Sequence, residues 1–307
     1  MTCHRIKIGT RGSRLAVIQA DMVRRALAAR WPKLVESIEI VSLATAGDLD
    51  RSRPIESIGG RGVFTDDVDQ ALHDGLIDIA VHSVKDLPVP LDRRLILAAT
   101  LRREDPREAF VSTRHASLAD LPPRAMLGSA SVRREAMVRR LRPDATFVLL
   151  RGNVEERLAA IARRGLDGTI LAVAGLKRLG LERQITQVLE PDVLMPDPGQ
   201  GAIGIVCRAD DSAARFLAAS VNHPVTQCEI VAERAFLAAV GACAVAGALA
   251  RTRGGNIAMS ATLSLAGSRR WVTGRVAGAG AAAAALGHAL AQQLLDSAST
   301  AVAARLR

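Results

Sequence analysis

The sequence predicts an α/β fold with mainly parallel β-sheets. Short apolar runs of strand length alternate with segments of helical apolar spacing, and a Ser or Asn stands where several of the helical segments begin. Strands that alternate with helices form βαβ units, whose strands run parallel. In such sheets, ligands bind beyond the carboxyl ends of the strands, near helix N-termini.

The first two units lie in the N-terminal part of the chain. RIKIG is a predicted strand, and Ser13 is the expected N-cap of a helix over about Arg14–Arg30. IDIAVHS is the next clear strand, and it ends in the charged turn VKDLP, where Pro88 prevents the strand from continuing. Lys85 and Asp86 lie in this turn.

Three further units follow the same pattern. In AMLGSASVRREAMVRRLR a strand leads to a helix capped by Ser129 or Ser131. TFVLLRGNVEERLAAIARRG repeats the pattern with Asn153 as the cap and Arg151 at the strand end. A fifth strand, GTILAV, continues into AGLKRLG and brings Arg178 with it.

Arginine recurs where these strands end and helices begin. Arg133 and Arg134 fall in a first helical turn, where a cation opposes the helix dipole at a cost of a few tenths to about 1 kcal/mol. A solvated helix face favours Glu or Asp at such positions. An arginine-rich surface explains any one of these residues, but it explains the set poorly.

The charge balance points to an anionic ligand. The 307-residue chain has a formal net charge of +10, and only Lys7, Lys33, Lys85 and Lys177 are lysines. Arginine prefers planar partners such as carboxylate and phosphate. A polyanionic small molecule and a nucleic acid both fit, but aromatic residues are 2% of the chain and no block of five basic residues occurs. We therefore favour the small molecule.

Other classes of site are disfavoured by composition. The four cysteines form no CxxC pair, and the sequence has no repeated Cys/His spacing of a zinc site, so we expect neither a metal site nor a disulfide framework. No apolar run is long enough for a membrane helix, and the N-terminus lacks the apolar stretch of a secretory signal. We expect a cytoplasmic protein of two or three domains that does not bind membranes.

Segments of loop composition mark the boundaries between these units. Residues 101–112 form a predicted crossing between lobes, and residues 191–208 form a Pro/Gly-rich return. A third unit begins near 222–240 and ends in an Ala-rich helix at about 281–305. Residues 47–64 form a long loop of the kind that often acts as a lid.

Nine stretches of the chain resemble the porphobilinogen deaminase (hydroxymethylbilane synthase) family. In order along the chain they are IGTRGSRLAVIQA, GGRGVF, DIAVHSVKDLP, REDPREAFVS, GSASVRRE, LRGNVEERL, ILAVAGLKRLG, PGQGAIGI and AERAF. The resemblance covers essentially the whole chain. It implies two lobes similar to those of periplasmic binding proteins and a small C-terminal α/β domain. The first lobe would hold 1–101 and 200–219, the second 105–197 and the third domain 222–307.

The resemblance also implies a reaction and a cofactor. The family condenses four porphobilinogen molecules head to tail with loss of ammonia, then releases the linear tetrapyrrole by hydrolysis. Its cofactor is a dipyrromethane made from the substrate and attached to a cysteine through a thioether. The matching cysteine here is Cys243, in VGACAVAGALA. We expect a monomer that binds no nucleic acid.

A growing pyrrole chain accumulates acetate and propionate groups, so the cleft must hold a polyanion. The predicted cofactor-binding residues, besides Cys243, are Arg11, Ser13, Lys85, Ser131, Arg133, Arg134, Arg151, Arg157 and Arg178, and Ser83 can add a hydroxyl hydrogen bond. Arg151 and Arg157 share no helix face, so they contact different carboxylates or Arg151 precedes the helix.

Asp86 is the predicted catalytic residue, and it matches the key aspartate of the family. Loss of ammonia leaves an azafulvenium-like electrophile, and a carboxylate that accepts hydrogen bonds from pyrrole N–H groups stabilises its positive charge. In an unrelated chain the same Asp would merely form the turn. We assign His82 a structural role rather than catalysis. Phe64 either stacks on a pyrrole or anchors its loop.

Some positions depart from the family pattern. Arg14 stands where proline is common, and Ala46 stands where a basic residue usually precedes Gly-Asp. Around Cys243 the chain reads GACAVAG, shorter and richer in alanine than the family. A two-lobed binding protein for a small carboxylate, or an inactive family member, is therefore the alternative expectation.

Overall fold

The computed structural model describes residues 5–45, 60–266, 268 and 270–303. Of the predicted lid, residues 47–59 lie outside this part of the chain. Helices and strands are numbered in chain order.

The first sheet is built around the N-terminal strand. Its strands are β1 (Ile6–Arg11), β2 (Ile38–Leu43), β3 (Ile79–Ser83), β4 (Leu95–Thr100) and β10 (Ile203–Arg208). They lie in the order β2–β1–β3–β10–β4, and only β10 is antiparallel to its neighbours. The helices are α1 (Arg14–Arg30) and α6 (Ser212–Ala219), which share one apolar core on this sheet, and α2 (Asp66–His73), which belongs to another.

The second sheet repeats this arrangement. Its strands are β5 (Glu108–Val111), β6 (Met126–Ser129), β7 (Thr146–Leu149), β8 (Gly168–Ala172) and β9 (Gln187–Leu189). They lie in the order β7–β6–β8–β5–β9, and only β5 is antiparallel to its neighbours. The helices are α3 (Val132–Leu141), α4 (Val154–Arg163) and α5 (Val173–Arg178).

These two sheets confirm the predicted α/β class with mainly parallel strands. The reversed strand in each was not predicted. Each is the first strand that follows a crossing between the lobes, so the chain enters that sheet from the opposite end.

A three-stranded antiparallel sheet follows near the C-terminus. Its strands are β11 (Ala244–Arg253), β12 (Asn256–Leu265) and β13 (Val272–Ala279), and its helices are α7 (Pro224–Val240) and α8 (Ala283–Ala303). Phe236 and Leu290, from the two helices, are fully buried in one apolar core with the sheet. Helix α8 agrees with the Ala-rich helix predicted from the sequence.

The two crossings between the lobes lie side by side and are fixed to α7. Glu104 N donates to Gly201 O at 3.1 Å, which joins one crossing to the other. The buried Arg103 guanidinium lies 2.7 Å from Glu233 of α7, and Glu233 also accepts from Gly199 N at 2.6 Å. A single buried carboxylate therefore ties both crossings to the helix that leads into the cysteine segment.

Gly287 allows α8 to approach α7 closely, because a Cβ there would overlap the carbonyl oxygen of Ala232 and lie 3.1 Å from Phe236 N. We predict that Gly287→Ala lowers the free energy of unfolding by about 1–3 kcal/mol, the usual cost of overpacking. The measurement is denaturant unfolding of the purified chain.

Gly175→Ala is the matched control, since a Cβ at this helical glycine would meet only Leu15 at 3.6 Å. We expect it to leave stability unchanged or to raise it by up to about 1 kcal/mol through helix propensity. Equal effects of the two substitutions would contradict the close helix contact.

Candidate active site between the two lobes

A cavity of about 940 Å³ opens between the lobes and reaches the third domain. Its charged lining residues are Arg11, Arg14, Lys85, Arg133, Arg134, Arg151 and Arg157, against Asp86 and Asp197. Both lobes contribute, and the third domain adds a largely apolar wall formed by Gly241, Ala242, Ala244, Val245 and Ala246. The cavity is therefore strongly cationic.

The structure brings most of the predicted site residues together in this cavity. The predicted residues in its lining are Arg11, Ser13, Lys85, Asp86, Ser131, Arg133, Arg134, Arg151 and Arg157. Arg178 does not line it, and the side chain of Cys243 lies outside the described part of the structure.

In both lobes, cavity residues lie at the capped N-termini of helices. Ser13 caps α1 by accepting from Ala16 N, and Ser131, rather than Ser129, caps α3 by accepting from Arg134 N. Asn153 and Glu156 form a capping box at the start of α4. Each helix therefore begins at the cavity, where its strand has just ended.

Arg151 and Arg157 occupy different parts of this arrangement. Arg151 precedes α4, which begins at Val154, whereas Arg157 lies inside the helix and its Nε donates to Gly152 O at 2.8 Å. Of the two alternatives considered for this pair, the structure has Arg151 outside the helix. Two guanidinium groups six residues apart thus reach the same cavity.

Burial and mutual repulsion weaken the protonation of the cavity cations. Burial and then repulsion from Arg134 and Arg151 together lower the pKa of Arg157 to about 10, against the attraction of Asp86. Burial, followed by Arg134, also lowers the pKa of Lys85, against the attraction of Asp86. The cavity cations therefore repel one another at close range, and a bound anion would lower that repulsion.

Asp86 stands among these cations at the end of β3. It closes the short 3₁₀ turn Val84–Asp86 and lines both the large cavity and a neighbouring pocket of about 50 Å³. Its charge acts on both Lys85 and Arg157. A carboxylate in this position stabilises a cation that forms in the cavity while the surrounding arginines hold anions.

The smaller pocket contains buried polar side chains. Gln19 Nε2 donates to Ser83 Oγ at 2.8 Å, and both residues line the pocket beside Asp86. His82 is 4% exposed, and its Nε2 lies 3.4 Å from Asp69 Oδ1. His82 is thus enclosed beside Asp86 in the pocket lining, and its structural role stays a prediction.

Phe64 lies where cations cover its ring. The Arg11 guanidinium carbon is 4.2 Å from the ring centroid, and that of Arg151 is 5.8 Å away. Phe64 also lines the large cavity. The ring thus organises two arginines from opposite lobes through cation–π contacts, a role that the sequence did not suggest.

Arg178 is a predicted site residue that the cavity lining does not include. We expected it in the cleft, but it does not line the cavity; its Nη2 donates to Gly201 O at 2.6 Å. Burial lowers the pKa of Arg178 to about 10. At the end of α5 this side chain supports the return crossing, and strand–helix order alone could not distinguish that position from the cavity.

Two polar residues near the site were not predicted. Glu108, the first residue of β5, is fully buried and pairs with Arg133 and Arg134. Gln200 is also buried; it accepts from Lys85 Nζ at 3.2 Å and donates to Pro106 O at 2.7 Å. Both residues lie in segments that the sequence predicts as charged or Gly-rich crossings between the lobes. No local sequence pattern indicates that their side chains are buried at the site.

The segment around Cys243 borders the cavity. Helix α7 ends at Val240, its C-cap Gly241 has a φ of 61° that suits glycine, and a 3₁₀ turn over Gly241–Cys243 leads into β11. Gly241, Ala242 and Ala244 all line the cavity. The residues on both sides of Cys243 thus line the cavity.

Within the described residues, no group of three or more His, Cys, Asp or Glu side chains is arranged to hold a metal ion. No helix in that part of the chain is both long and apolar enough to cross a membrane. These observations leave the arginine-lined cavity as the candidate site.

Fold and site together define a two-lobed α/β protein whose interlobe cavity suits a polycarboxylate. A family model described as "Porphobilinogen deaminase, dipyromethane cofactor binding domain" matches residues 6–215. Porphobilinogen deaminase of Roseiflexus castenholzii is 44% identical over 293 residues, which is 95% of this chain and 96% of the relative. Porphobilinogen deaminase of Nitrobacter hamburgensis is also 44% identical, over 94% of this chain and 92% of the relative. The chain belongs to the porphobilinogen deaminase family.

Similar solved structures include a periplasmic binding protein of Salmonella typhimurium described for its arginine specificity. It has 13% sequence identity and a TM-score of 0.41, and the match covers 73% of this chain and 94% of that one.

The crowded cations predict a specific response to polyanions. In a Cys243→Ser chain, which has no thiol at this position, citrate should raise the melting temperature more than sodium chloride of equal ionic strength. At concentrations well above its Kd, the gain should be about 1–3 kcal/mol. Differential scanning fluorimetry measures it.

Arg157→Gln should reduce this gain, because Arg157 lines the cavity. Arg94→Gln is the matched control, since Arg94 is exposed and pairs with Asp92 on the surface. If citrate stabilised both variants as well as the parent, or acted no better than chloride, the cavity would not be an anion site.

Proposed function

We propose that this chain is a hydroxymethylbilane synthase. It condenses four porphobilinogen molecules head to tail, with loss of four ammonia molecules, and releases the linear tetrapyrrole by hydrolysis. One observation carries the proposal: the cavity contains several guanidinium groups for carboxylates and, among them, Asp86 for a developing cation. The family assignment supports the same activity.

The residues present fit a covalently held dipyrromethane. Such a group carries four carboxylates, and the cavity offers guanidinium groups from both lobes, which suit carboxylates bidentately. The proposed attachment is a thioether to Cys243, whose neighbours Ala242 and Ala244 line the same cavity. When bound, the dipyrromethane supplies the pyrrole α-carbon to which the substrate units are joined.

Asp86 is the proposed catalytic residue. Its carboxylate accepts hydrogen bonds from pyrrole N–H groups and stabilises positive charge on the ring nitrogen as ammonia leaves and as the new bond forms. The charge of Asp86 acts on both Lys85 and Arg157, and all three side chains line the same cavity.

The basic residues have the complementary task. The second lobe contributes Ser131, Arg133 and Arg134 from the start of α3. The first lobe contributes Arg11 from the end of β1 and Ser13 from the start of α1 to the same cavity. We propose that these groups, with Lys85, Arg151 and Arg157, bind the acetate and propionate side chains. They orient the rings so that the reacting atoms meet near Asp86.

The domain limits expected from the sequence follow from the same proposal. Residues 1–101 with 200–219 form the first lobe, 105–197 the second, and 222–307 the cofactor-bearing domain. We further propose a cytoplasmic monomer that binds neither nucleic acid nor membranes. Its Arg178 supports the crossing between the lobes and does not contact the cofactor directly.

Asp86→Asn tests the function directly. The amide keeps the size of the side chain but lacks its charge, so kcat for hydroxymethylbilane formation from porphobilinogen should fall by about 10²–10³-fold. Folding, followed by circular dichroism, and cofactor content, followed by intact mass, should not change. Single-time-point and steady-state assays of the purified chain measure the loss.

Asp74→Asn is the matched control, because Asp74 is an exposed aspartate at the end of α2, away from the cavity. It should retain parental kcat. Normal turnover by Asp86→Asn would contradict the role of the carboxylate, and lack of turnover by the parent chain would contradict the proposed function.

A further inference from the structure

Glu108 holds two consecutive arginines from beneath the cavity. The residue opens β5 and has no exposed surface. Its carboxylate accepts from Arg133 Nη2, from Arg134 Nε at 3.1 Å and from Arg134 Nη2 at 2.8 Å. One buried side chain thus fixes both guanidinium groups that α3 brings to the cavity.

This arrangement leaves one donor group of Arg134 for a ligand. Arg134 uses its Nε and Nη2 on Glu108, and its Nη1 donates to no acceptor in the described part of the chain. Arg133 donates from Nη1 to Met195 O at 2.5 Å, and its buried Nε is ion-paired with Asp197 Oδ2 at 3.9 Å. Both arginines line the cavity.

Glu108 also balances charge where repulsion is greatest. Burial acts to raise the pKa of Glu108, but Arg134 and Arg133 outweigh it and lower that pKa to about 2. Its negative charge also attracts Lys85. A buried charge tolerates loss of its partner poorly, so each cation here depends on this carboxylate.

We propose that Glu108 is a positioning residue for the polycarboxylate site. It acts through Arg133 and Arg134: it fixes the plane of each guanidinium and leaves Nη1 of Arg134 for a ligand carboxylate. The inference rests on the proposed role of these two arginines. It assigns a function to a residue that contacts neither substrate nor cofactor.

A second interpretation makes the opposite prediction. If Glu108 only competed with the ligand for the arginines, its removal would free their donors and strengthen anion binding. If it only filled space in the lobe, binding would not change once the variant had folded. If Glu108 positions the arginines, its removal weakens anion binding, and it does so only when the arginines are present.

The test measures binding of benzene-1,2,4,5-tetracarboxylate, a rigid tetra-anion, to the Cys243→Ser chain by isothermal titration calorimetry. The variants in this background are Glu108→Gln, Glu108→Asp, Arg134→Gln and the Glu108→Gln/Arg134→Gln double variant. Glu104→Gln is the matched control, because Glu104 lies four residues earlier and pairs with Lys177 outside the cavity. Circular dichroism and thermal melting establish that each variant is folded.

The proposal predicts that Glu108→Gln weakens probe binding by about 10-fold, the lower end of losses seen when a partner that orients a ligating group is removed. Glu108→Asp should recover part of that loss, because it restores the charge with a shorter reach. In the Arg134→Gln background, Glu108→Gln should cost clearly less than it does alone. Glu104→Gln should bind as the parent does.

Parental or tighter binding by folded Glu108→Gln would overturn the positioning role. So would equal losses from Glu108→Gln with and without Arg134. If Glu108→Gln does not fold, Glu108→Asp decides, and parental affinity in a folded Glu108→Asp chain contradicts the proposal. Should Arg134→Gln itself leave binding intact, the failure lies in the proposed function of the cavity and not in Glu108 alone.

Discussion

Repulsion among like charges is the constraint on which the arrangement of this protein depends. Seven basic side chains, Arg11, Arg14, Lys85, Arg133, Arg134, Arg151 and Arg157, share one cavity with Asp86 and Asp197. At short range and partly removed from water, such charges repel one another more strongly than on an open surface. Burial and, after it, repulsion from Arg134 lower the pKa values of Lys85 and Arg157. A polycarboxylate bound here would offset this repulsion, so the same charges would provide affinity for it.

The two-lobed topology makes this concentration of charge possible. Each lobe sends strand ends and capped helix starts toward the cavity, and the two crossings keep the lobes adjacent. Glu233 ties both crossings to α7, and α7 ends at the segment that contains Cys243. Glu108 supplies the counter-charge beneath α3. Two buried carboxylates thus hold this arrangement: Glu233 fixes the two crossings to α7, and Glu108 fixes the arginines of α3.

The sequence predicted the parts of this arrangement that local chemistry determines. Ser13 and Asn153 are caps because a side-chain acceptor must precede a helix, and the cavity arginines follow strands whose ends meet in any parallel sheet. Glu108 could not be found this way, since a carboxylate in a charged run looks solvated until the tertiary fold buries it. The contact of Arg178 with the return crossing could not be predicted either, because a helix end can face a cavity or a crossing. The reversed strands β5 and β10 depend on how the chain passes between lobes, which no local pattern records.

The central claim is that this cavity encloses a polycarboxylate anchored beside Asp86, and its most direct test is the intact mass of the purified chain, followed by peptide mapping. The account predicts a mass above that of the polypeptide by two linked pyrrole units, carried by the peptide that contains Cys243. An unmodified chain that still converts porphobilinogen would contradict the account, as would the same mass excess on a peptide without Cys243.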